Sequence, residues 1–161
     1  MNNNVTVGIS DMKLGAQEDV LATYALGSCV GICIYDSVRK VGALGHILLP
    51  NSGNGATVPN KYKFADTSVP EMISALTKNG SQKRNLTAKI AGGASMFEVS
   101  GESAISNIGE RNVRAVREAL RAQQIRIIAE DVGLNYGRTV FFHMKDGSVQ
   151  VKSFAKGLKV L

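Results

Sequence analysis

The sequence has no long hydrophobic run. Its longest apolar segments, such as residues 30–35 and 47–49, have the length of strands, whereas a membrane-spanning helix needs about 20 apolar residues. Residues 1–4 carry neither the basic start nor the apolar core of a signal peptide. We therefore expect a cytoplasmic protein that does not insert into a membrane.

Cysteine is scarce as well. The two cysteines, Cys29 and Cys33, would lie about 13 Å apart along a strand, which is too far for a disulfide. The second histidine, His143, has no partner close to it in sequence, so a four-ligand zinc site is not predicted. Unpaired cysteines fit a reducing compartment, and we expect neither a metal nor a cofactor.

The charge is positive but not concentrated. The 161 residues are 44% hydrophobic and 20% charged, with a net charge of +6, a composition typical of a globular chain. We predict a single domain over residues 1–161. No Lys/Arg run or basic–aromatic pattern indicates nucleic-acid binding, while the net charge favours an acidic partner surface.

Hydrophobic periodicity predicts an α+β fold with helices layered on a sheet, because strands dominate and no βαβ rhythm is present. A first helix should begin at Ser68, with Glu71 completing a capping box, and end at Asn79-Gly80. A second should run from Asn107 to about Gln123. Strands are predicted over residues 5–9, 20–25, 30–36, 41–49, 86–91, 125–130, 139–144 and 148–154.

The most informative stretch is Gly27-Ser28-Cys29. Its small residues leave the approach to the cysteine sulfur open, as a nucleophile that attacks a carbonyl carbon requires. The alternative is that Cys29 is inert core, because free cysteine is among the most buried residue types.

A hairpin over residues 30–49 would bring His46 close to Cys29. If a four-residue loop pairs Asp36 with Val41, then His46 faces Gly31 and lies diagonal to Cys29 on the same face of the sheet, with Cβ atoms about 7–8 Å apart. A two-residue loop would instead place His46 directly opposite Cys29. Both registers keep the two side chains on one face, so both allow a Cys–His dyad.

Gly92 and Gly93 follow the strand predicted over residues 86–91. They permit a positive φ or a close backbone approach, but the segment lacks the Gly-Lys-Ser/Thr ending of a phosphate-binding loop. Met96 and Phe97 come next and are either buried or an apolar contact for a partner.

Several segments together resemble the CheD family, the chemoreceptor glutamine deamidases of bacterial and archaeal chemotaxis. The resemblance covers roughly residues 5–153. The segments that carry it are Thr23 with Leu26-Gly27-Ser28-Cys29-Val30, Gly45-His46 with Leu49-Pro50, residues 63–67, residues 89–97, Asn107-Ile108-Gly109 with Arg111-Asn112-Val113, and Ala129-Glu130-Asp131. Ala25 departs from the pattern, since members often carry glycine there.

The resemblance implies a three-layer α/β sandwich with mixed and antiparallel sheets and two main helices, similar to the catalytic domain of cytotoxic necrotising factor toxins. It implies a catalytic triad of Cys29, His46 and Thr23, with no metal. Chemoreceptor cytoplasmic domains would be the substrates and the CheC phosphatase a partner, and some members also show receptor methylesterase activity.

We further expect the backbone N–H groups around Gly27, Ser28 and Cys29 to meet the oxyanion. Met96 and Phe97 should belong to the surface that binds CheC. Two rival functions remain: another cysteine amidohydrolase or peptidase that uses the same dyad, and a non-catalytic adaptor that stimulates CheC. Intact Thr23, Cys29 and His46 argue against the adaptor.

Overall fold

A computed structural model describes residues 3–53, 57–95 and 107–161. Within these ranges it has ten strands, two α-helices and two short 3₁₀-helices. The helices are α1 (Ala65–Lys78) and α2 (Ile108–Ala122), and the 3₁₀-helices are Lys61–Lys63 and Lys83–Asn85. The strands are β1 (Asn4–Thr6), β2 (Asp11–Ala16), β3 (Val20–Leu26), β4 (Val30–Asp36), β5 (Val41–Ile47), β6 (Leu86–Gly92), β7 (Arg126–Val132), β8 (Arg138–His143), β9 (Val149–Ser153) and β10 (Gly157–Val160).

The strands form two five-stranded mixed sheets. The central sheet has the order β2-β5-β4-β6-β7 and the outer sheet the order β1-β3-β8-β9-β10. One pair in each sheet is parallel, β6 with β7 and β1 with β3. The predicted α+β class with two main helices and mixed sheets is therefore confirmed.

Two hydrophobic cores separate three layers. Met72 of α1 and Val116 of α2 pack with Ile32 of β4 on one face of the central sheet. Cys33 and the outer-sheet residue Phe142 belong to the core on its other face. β4 is buried along its whole length because it is covered on both faces, which explains its continuous apolar sequence.

The hairpin β4–β5 has the first of the two predicted registers. Asp36 pairs with Val41, and Gly31 faces His46. The Asp36 carboxylate accepts hydrogen bonds from the N–H groups of Val38 and Arg39, at 3.0 and 3.1 Å, which closes the four-residue loop. β5 ends at Ile47, two residues before the predicted end, because Leu48 and Leu49 donate their N–H groups to Lys63 instead.

The predicted start of α1 is wrong. The helix begins at Ala65, and Phe64 precedes it without a side-chain cap. Ser68 is a buried residue inside the helix and Pro70 also lies within it, so no capping box forms. The earlier start follows from the tertiary contact of Phe64, which makes a β-bridge with Leu49. The predicted span of α2 is confirmed, although the Asn107 side chain forms no cap hydrogen bond.

Two strands were not predicted, β2 and β10. Both lie at an edge of a sheet, where one side of a strand needs no partner and the hydrophobic pattern is weaker. The predicted strand at residues 5–9 is shorter than expected, at Asn4–Thr6. In the part of the chain that the structure describes, neither α-helix is long and apolar enough to cross a bilayer.

Candidate active site

Thr23 and His46 meet across the interface between the two sheets. Thr23 lies on β3 of the outer sheet and His46 on β5 of the central sheet, and both side chains are fully buried. The Thr23 hydroxyl lies 2.7 Å from His46 Nδ1 and also donates a hydrogen bond to the carbonyl oxygen of Val7, at 2.8 Å.

These two contacts determine the tautomer of His46. A hydroxyl has one proton to donate, and Val7 O receives it. Thr23 Oγ1 must then accept from His46, so the imidazole proton is on Nδ1 and the lone pair is on Nε2. Nε2 is buried and has no hydrogen-bond partner among the described residues. The ring is thus held in the form in which its free nitrogen can act as a base.

Burial keeps this imidazole uncharged. It lowers the pKa of His46 from 6.5 to about 4, because the charged form loses its hydration. At neutral pH the ring is therefore neutral.

Cys29 lies directly before β4 and only 7% of its surface is exposed. It belongs to the core between the two sheets, together with Cys33 and Ala91. Burial raises the pKa of the Cys29 thiol, and a hydrogen bond from the residue's own backbone N–H opposes the rise. Neither cysteine forms a disulfide, and because its pKa is raised, Cys29 is a thiol and not a thiolate at neutral pH.

The hairpin register relates Cys29 to His46. Since Gly31 faces His46 and Val30 faces Ile47, Cys29 precedes the ladder on the face that also carries His46. The space beside Gly31 is bounded most closely by Leu26: a Cβ there would lie 3.3 Å from Leu26, 3.7 Å from the carbonyl oxygen of Ala91 and 3.8 Å from Thr23. Gly31 thus leaves room chiefly for the Leu26 side chain, beside the threonine that contacts the imidazole.

Three successive carbonyl groups around Cys29 are held by hydrogen bonds. The N–H of Ala94 donates to Gly27 O and that of Gly93 to Cys29 O, both at 2.8 Å. The Ser28 carbonyl accepts from the side chain of Asn112 at 2.9 Å. The loop that carries the thiol is therefore attached both to the end of β6 and to α2.

The Gly92-Gly93 turn shows both features that its glycines permit, a positive φ and a close approach to another backbone segment. Both residues have positive φ, 115° and 69°, and a Cβ on Gly92 would collide with the carbonyl oxygen of Cys29. A side chain at position 92 would therefore displace the Cys29 loop. Met96 and Phe97, predicted to bind a partner, lie outside the described residues.

Comparison with known proteins agrees with the resemblance. A family model described as "CheD chemotactic sensory transduction" matches residues 48–153. The chain belongs to the CheD family.

Full-length CheD relatives also cover the candidate site. A protein of Syntrophomonas wolfei named "Probable chemoreceptor glutamine deamidase CheD" is 46% identical over 161 residues, which is 100% of both chains. A protein with the same name from Clostridium botulinum strain Eklund 17B is 46% identical, and the alignment covers 98% of this chain and 97% of that protein. Another from Clostridium novyi is 43% identical, and the alignment covers 99% of this chain and 98% of that protein. Thr23, Cys29 and His46 precede the region matched by the family model, but these alignments extend over them.

Among solved structures, the hypothetical protein YfiH of Bacillus licheniformis is similar, with a TM-score of 0.44 and 14% identity over 78% of this chain. This chain spans about half, 51%, of that protein's length.

In this CheD chain, Ala25 lies at a position whose backbone favours glycine. Ala25 has φ = 57°, in the left-handed region that favours glycine. The unusual backbone belongs to an irregularity of β3 between Thr23 and Leu26, where the pairing with β8 shifts. The departure from the family pattern is therefore at a strained position next to the threonine.

Sequence reasoning assigned no role to two buried polar residues. Asn112 entered only as part of the CheD pattern, and Arg138, also buried, forms an ion pair with Asp131 at 3.1 Å. Asn112 could have been noticed because it occupies the apolar side of α2, between the buried residues Gly109 and Val116. No group of three or more His, Cys, Asp or Glu side chains that could bind a metal occurs among the described residues.

Proposed function

We propose that this protein is a cytoplasmic deamidase that hydrolyses glutamine side chains of chemoreceptor cytoplasmic domains to glutamate. The names of the full-length relatives support the substrate and the reaction. The net charge of +6 is compatible with an acidic substrate surface.

One observation carries the proposed chemistry, the hydrogen bond between Thr23 and His46. It leaves the Nε2 lone pair free on the sheet face that Cys29 shares. Because Cys29 rests as a thiol and His46 as a neutral imidazole, His46 acts as a general base during the attack and not as the cationic half of a preformed ion pair.

In the first half of the reaction, Cys29 Sγ attacks the carboxamide carbon of glutamine while His46 Nε2 takes the thiol proton. The C=O electron pair moves to oxygen and forms a tetrahedral oxyanion. The oxyanion then re-forms the carbonyl, the C–N bond breaks, and His46 returns its proton to the nitrogen. Ammonia leaves and a thioester to Cys29 remains.

In the second half, water attacks the thioester carbon and gives a proton to His46. The C–S bond breaks, the sulfur regains that proton from His46, and the product is glutamate. Thr23 acts through His46: the Nδ1–H group stays hydrogen-bonded to the Thr23 hydroxyl oxygen, and this contact keeps Nε2 directed at the reacting atoms.

The oxyanion would be stabilised by backbone N–H groups of the Gly27-Ser28-Cys29 loop. The Cys29 N–H is the strongest candidate, because the backbone N–H of the nucleophile lies next to the carbon that its sulfur attacks. A glutamate methyl ester presents the same acyl carbon with methanol as the leaving group, so the same residues would also support receptor methylesterase activity.

The partner CheC belongs to the proposal through the family resemblance alone. Met96 and Phe97 are proposed as its contact, with CheC and receptor competing for one face. Phe97→Ala should weaken CheC binding, measured by titration calorimetry, with little change in melting temperature. A variant that melts much earlier would indicate a buried ring and would remove Phe97 from the interface.

The decisive experiment is mass spectrometry of a purified chemoreceptor cytoplasmic fragment after incubation with the protein. Deamidation adds about 1 Da per glutamine, whereas a peptidase would release fragments. Cys29→Ala should abolish the mass change, and Cys33→Ala, which alters the other buried thiol, should retain it. An active Cys29→Ala variant would reject the cysteine mechanism, and an unmodified receptor with CheC binding intact would favour the adaptor.

A further inference from the structure

Asn112 contacts both chain segments that carry the proposed nucleophile and base. Its side chain is fully buried on α2, and Nδ2 donates hydrogen bonds to Ser28 O at 2.9 Å and to Leu48 O at 3.0 Å. Both partners are carbonyl oxygens, which only accept, so the NH₂ group must face them. We propose that Asn112 is a positioning residue that orients the Ser28–Cys29 peptide group for oxyanion stabilisation.

The Asn112 amide lies where the sheet ladder stops. The pairing of β4 with β5 ends at Val30 and Ile47, and one step further the register places Cys29 opposite Leu48. The backbone pairing does not continue there. The Asn112 amide instead joins the two segments through Ser28 O and Leu48 O, one residue before Cys29 and two after His46.

The contact with Ser28 O also sets the direction of the Cys29 N–H. The described chain has no cis peptide bond, and in a planar trans peptide the C=O and N–H groups point in opposite directions. Asn112 holds the Ser28 carbonyl toward α2, on the helix side of the central sheet. The Cys29 N–H must therefore point away from α2, toward the core between the sheets, where the Cys29 side chain lies.

This N–H is available to a substrate. Among the described residues it donates to no backbone carbonyl, unlike the N–H groups of Gly93 and Ala94. An oxyanion formed by attack of Cys29 would lie next to it, and the backbone N–H of the nucleophile is a common oxyanion donor. Asn112 thus fixes a donor before the substrate arrives.

The other hydrogen bonds of the Cys29 loop explain why loss of the Asn112 amide should affect one peptide group only. Gly27 O and Cys29 O are held by Ala94 and Gly93, so removing the Asn112 amide leaves the neighbouring peptide groups attached. The peptide group between Ser28 and Cys29 is the one that loses its support. We therefore expect loss of catalysis without release of the whole loop.

The test compares Asn112→Leu and Asn112→Ala with Val116→Ala. Val116 is fully buried one turn further along α2 and its side chain has no polar atom that could hydrogen-bond to the Cys29 loop, so its truncation controls for loss of stability. For each variant, kcat and KM for deamidation of a purified receptor cytoplasmic fragment, the rate of Cys29 alkylation by iodoacetamide, and the melting temperature would be measured.

Both Asn112 variants should lower kcat by roughly 100-fold, as loss of an oxyanion donor does, with KM changed by less than about threefold because the oxyanion exists only in the transition state. Alkylation should stay within about threefold of the parent rate, since substitution at iodoacetamide forms no oxyanion. Val116→Ala should melt earlier with kcat nearly unchanged.

Two results would overturn the inference. The first is a kcat close to that of the parent in either folded Asn112 variant. The second is a parallel fall of kcat, alkylation rate and melting temperature, which would indicate that the asparagine has only a structural role. The inference rests on the proposed deamidase function, and Cys29→Ala separates the two failures. If Cys29→Ala is active, both are wrong; if it is inactive while Asn112→Leu is active, only the role of Asn112 is rejected.

Discussion

The buried imidazole of His46 should make the protein lose stability as the pH falls. The folded-state pKa of His46 is about 4, against 6.5 for an ordinary histidine. Below pH 6.5 the unfolded chain binds a proton that the folded protein does not bind, so the free energy of unfolding decreases until the pH reaches about 4 and then levels off. A tenfold difference in proton affinity between the two states is worth about 1.4 kcal/mol, so this difference in pKa gives a loss of roughly 3 kcal/mol between pH 7 and pH 4.

Urea denaturation of the parent and of His46→Asn at pH 7, 6, 5 and 4 measures this contribution. Asparagine does not titrate, and its NH₂ group can still donate to Thr23 from a position similar to Nδ1. The carboxylates titrate in both proteins, so the contribution of His46 is the difference between the two pH profiles. His143→Gln, which removes the other histidine, is measured alongside as a control.

The result that would refute this reasoning is an equal loss of stability in the parent and His46→Asn. It would mean that His46 accepts a proton in the folded protein as easily as in the unfolded chain. The tautomer assigned from the Thr23 contact would then not persist at acidic pH, and general-base catalysis by His46 would lose its electrostatic support.

Three further predictions concern the loop and its surroundings. Thr23→Val should lower kcat by roughly tenfold or more, while Thr23→Ser, which keeps the hydroxyl, should retain most of the parent kcat. Equal kcat values for the two variants would exclude the hydroxyl from the mechanism. Ala25→Gly should raise the free energy of unfolding by about 0.5–1 kcal/mol, because φ is positive there. Ala129→Gly, at a position of β7 where φ is not positive, should lower it. Gly92→Ala should lower the free energy of unfolding by roughly 1–3 kcal/mol and change the rate of Cys29 alkylation. An unchanged alkylation rate would show that the Cys29 loop is independent of the Gly92-Gly93 turn.

The face that Cys29 and His46 share could be predicted, because the two registers considered for the β4–β5 hairpin both keep these side chains on one face. The choice between the two registers was left open by the sequence, and the pairing of Asp36 with Val41 decides it. The start of α1 could not be predicted, since the capping pattern at Ser68 is local and the bridge between Phe64 and Leu49 is not. Tertiary contacts override such local signals.

The contacts that complete the candidate site were beyond sequence reasoning for the same reason. Asn112 lies 84 residues from Ser28 and 64 residues from Leu48 in the chain. The contact between Thr23 and His46 joins two different sheets. Spacing within one element reveals a face or a register, but it carries no information about which side chain from another layer reaches that face.

The division of the site between two sheets has a consequence for how activity is acquired during folding. A chain that has formed only the central sheet and its helices would already carry Cys29 and His46 on one face of that sheet, because Cys29 directly precedes β4 and His46 lies on β5. The His46 imidazole would nevertheless lack the hydrogen bond to Thr23 and the burial that keeps it neutral. Under the proposed mechanism, such a partly folded protein would carry a thiol without a competent base, and catalysis would begin only when the outer sheet has docked.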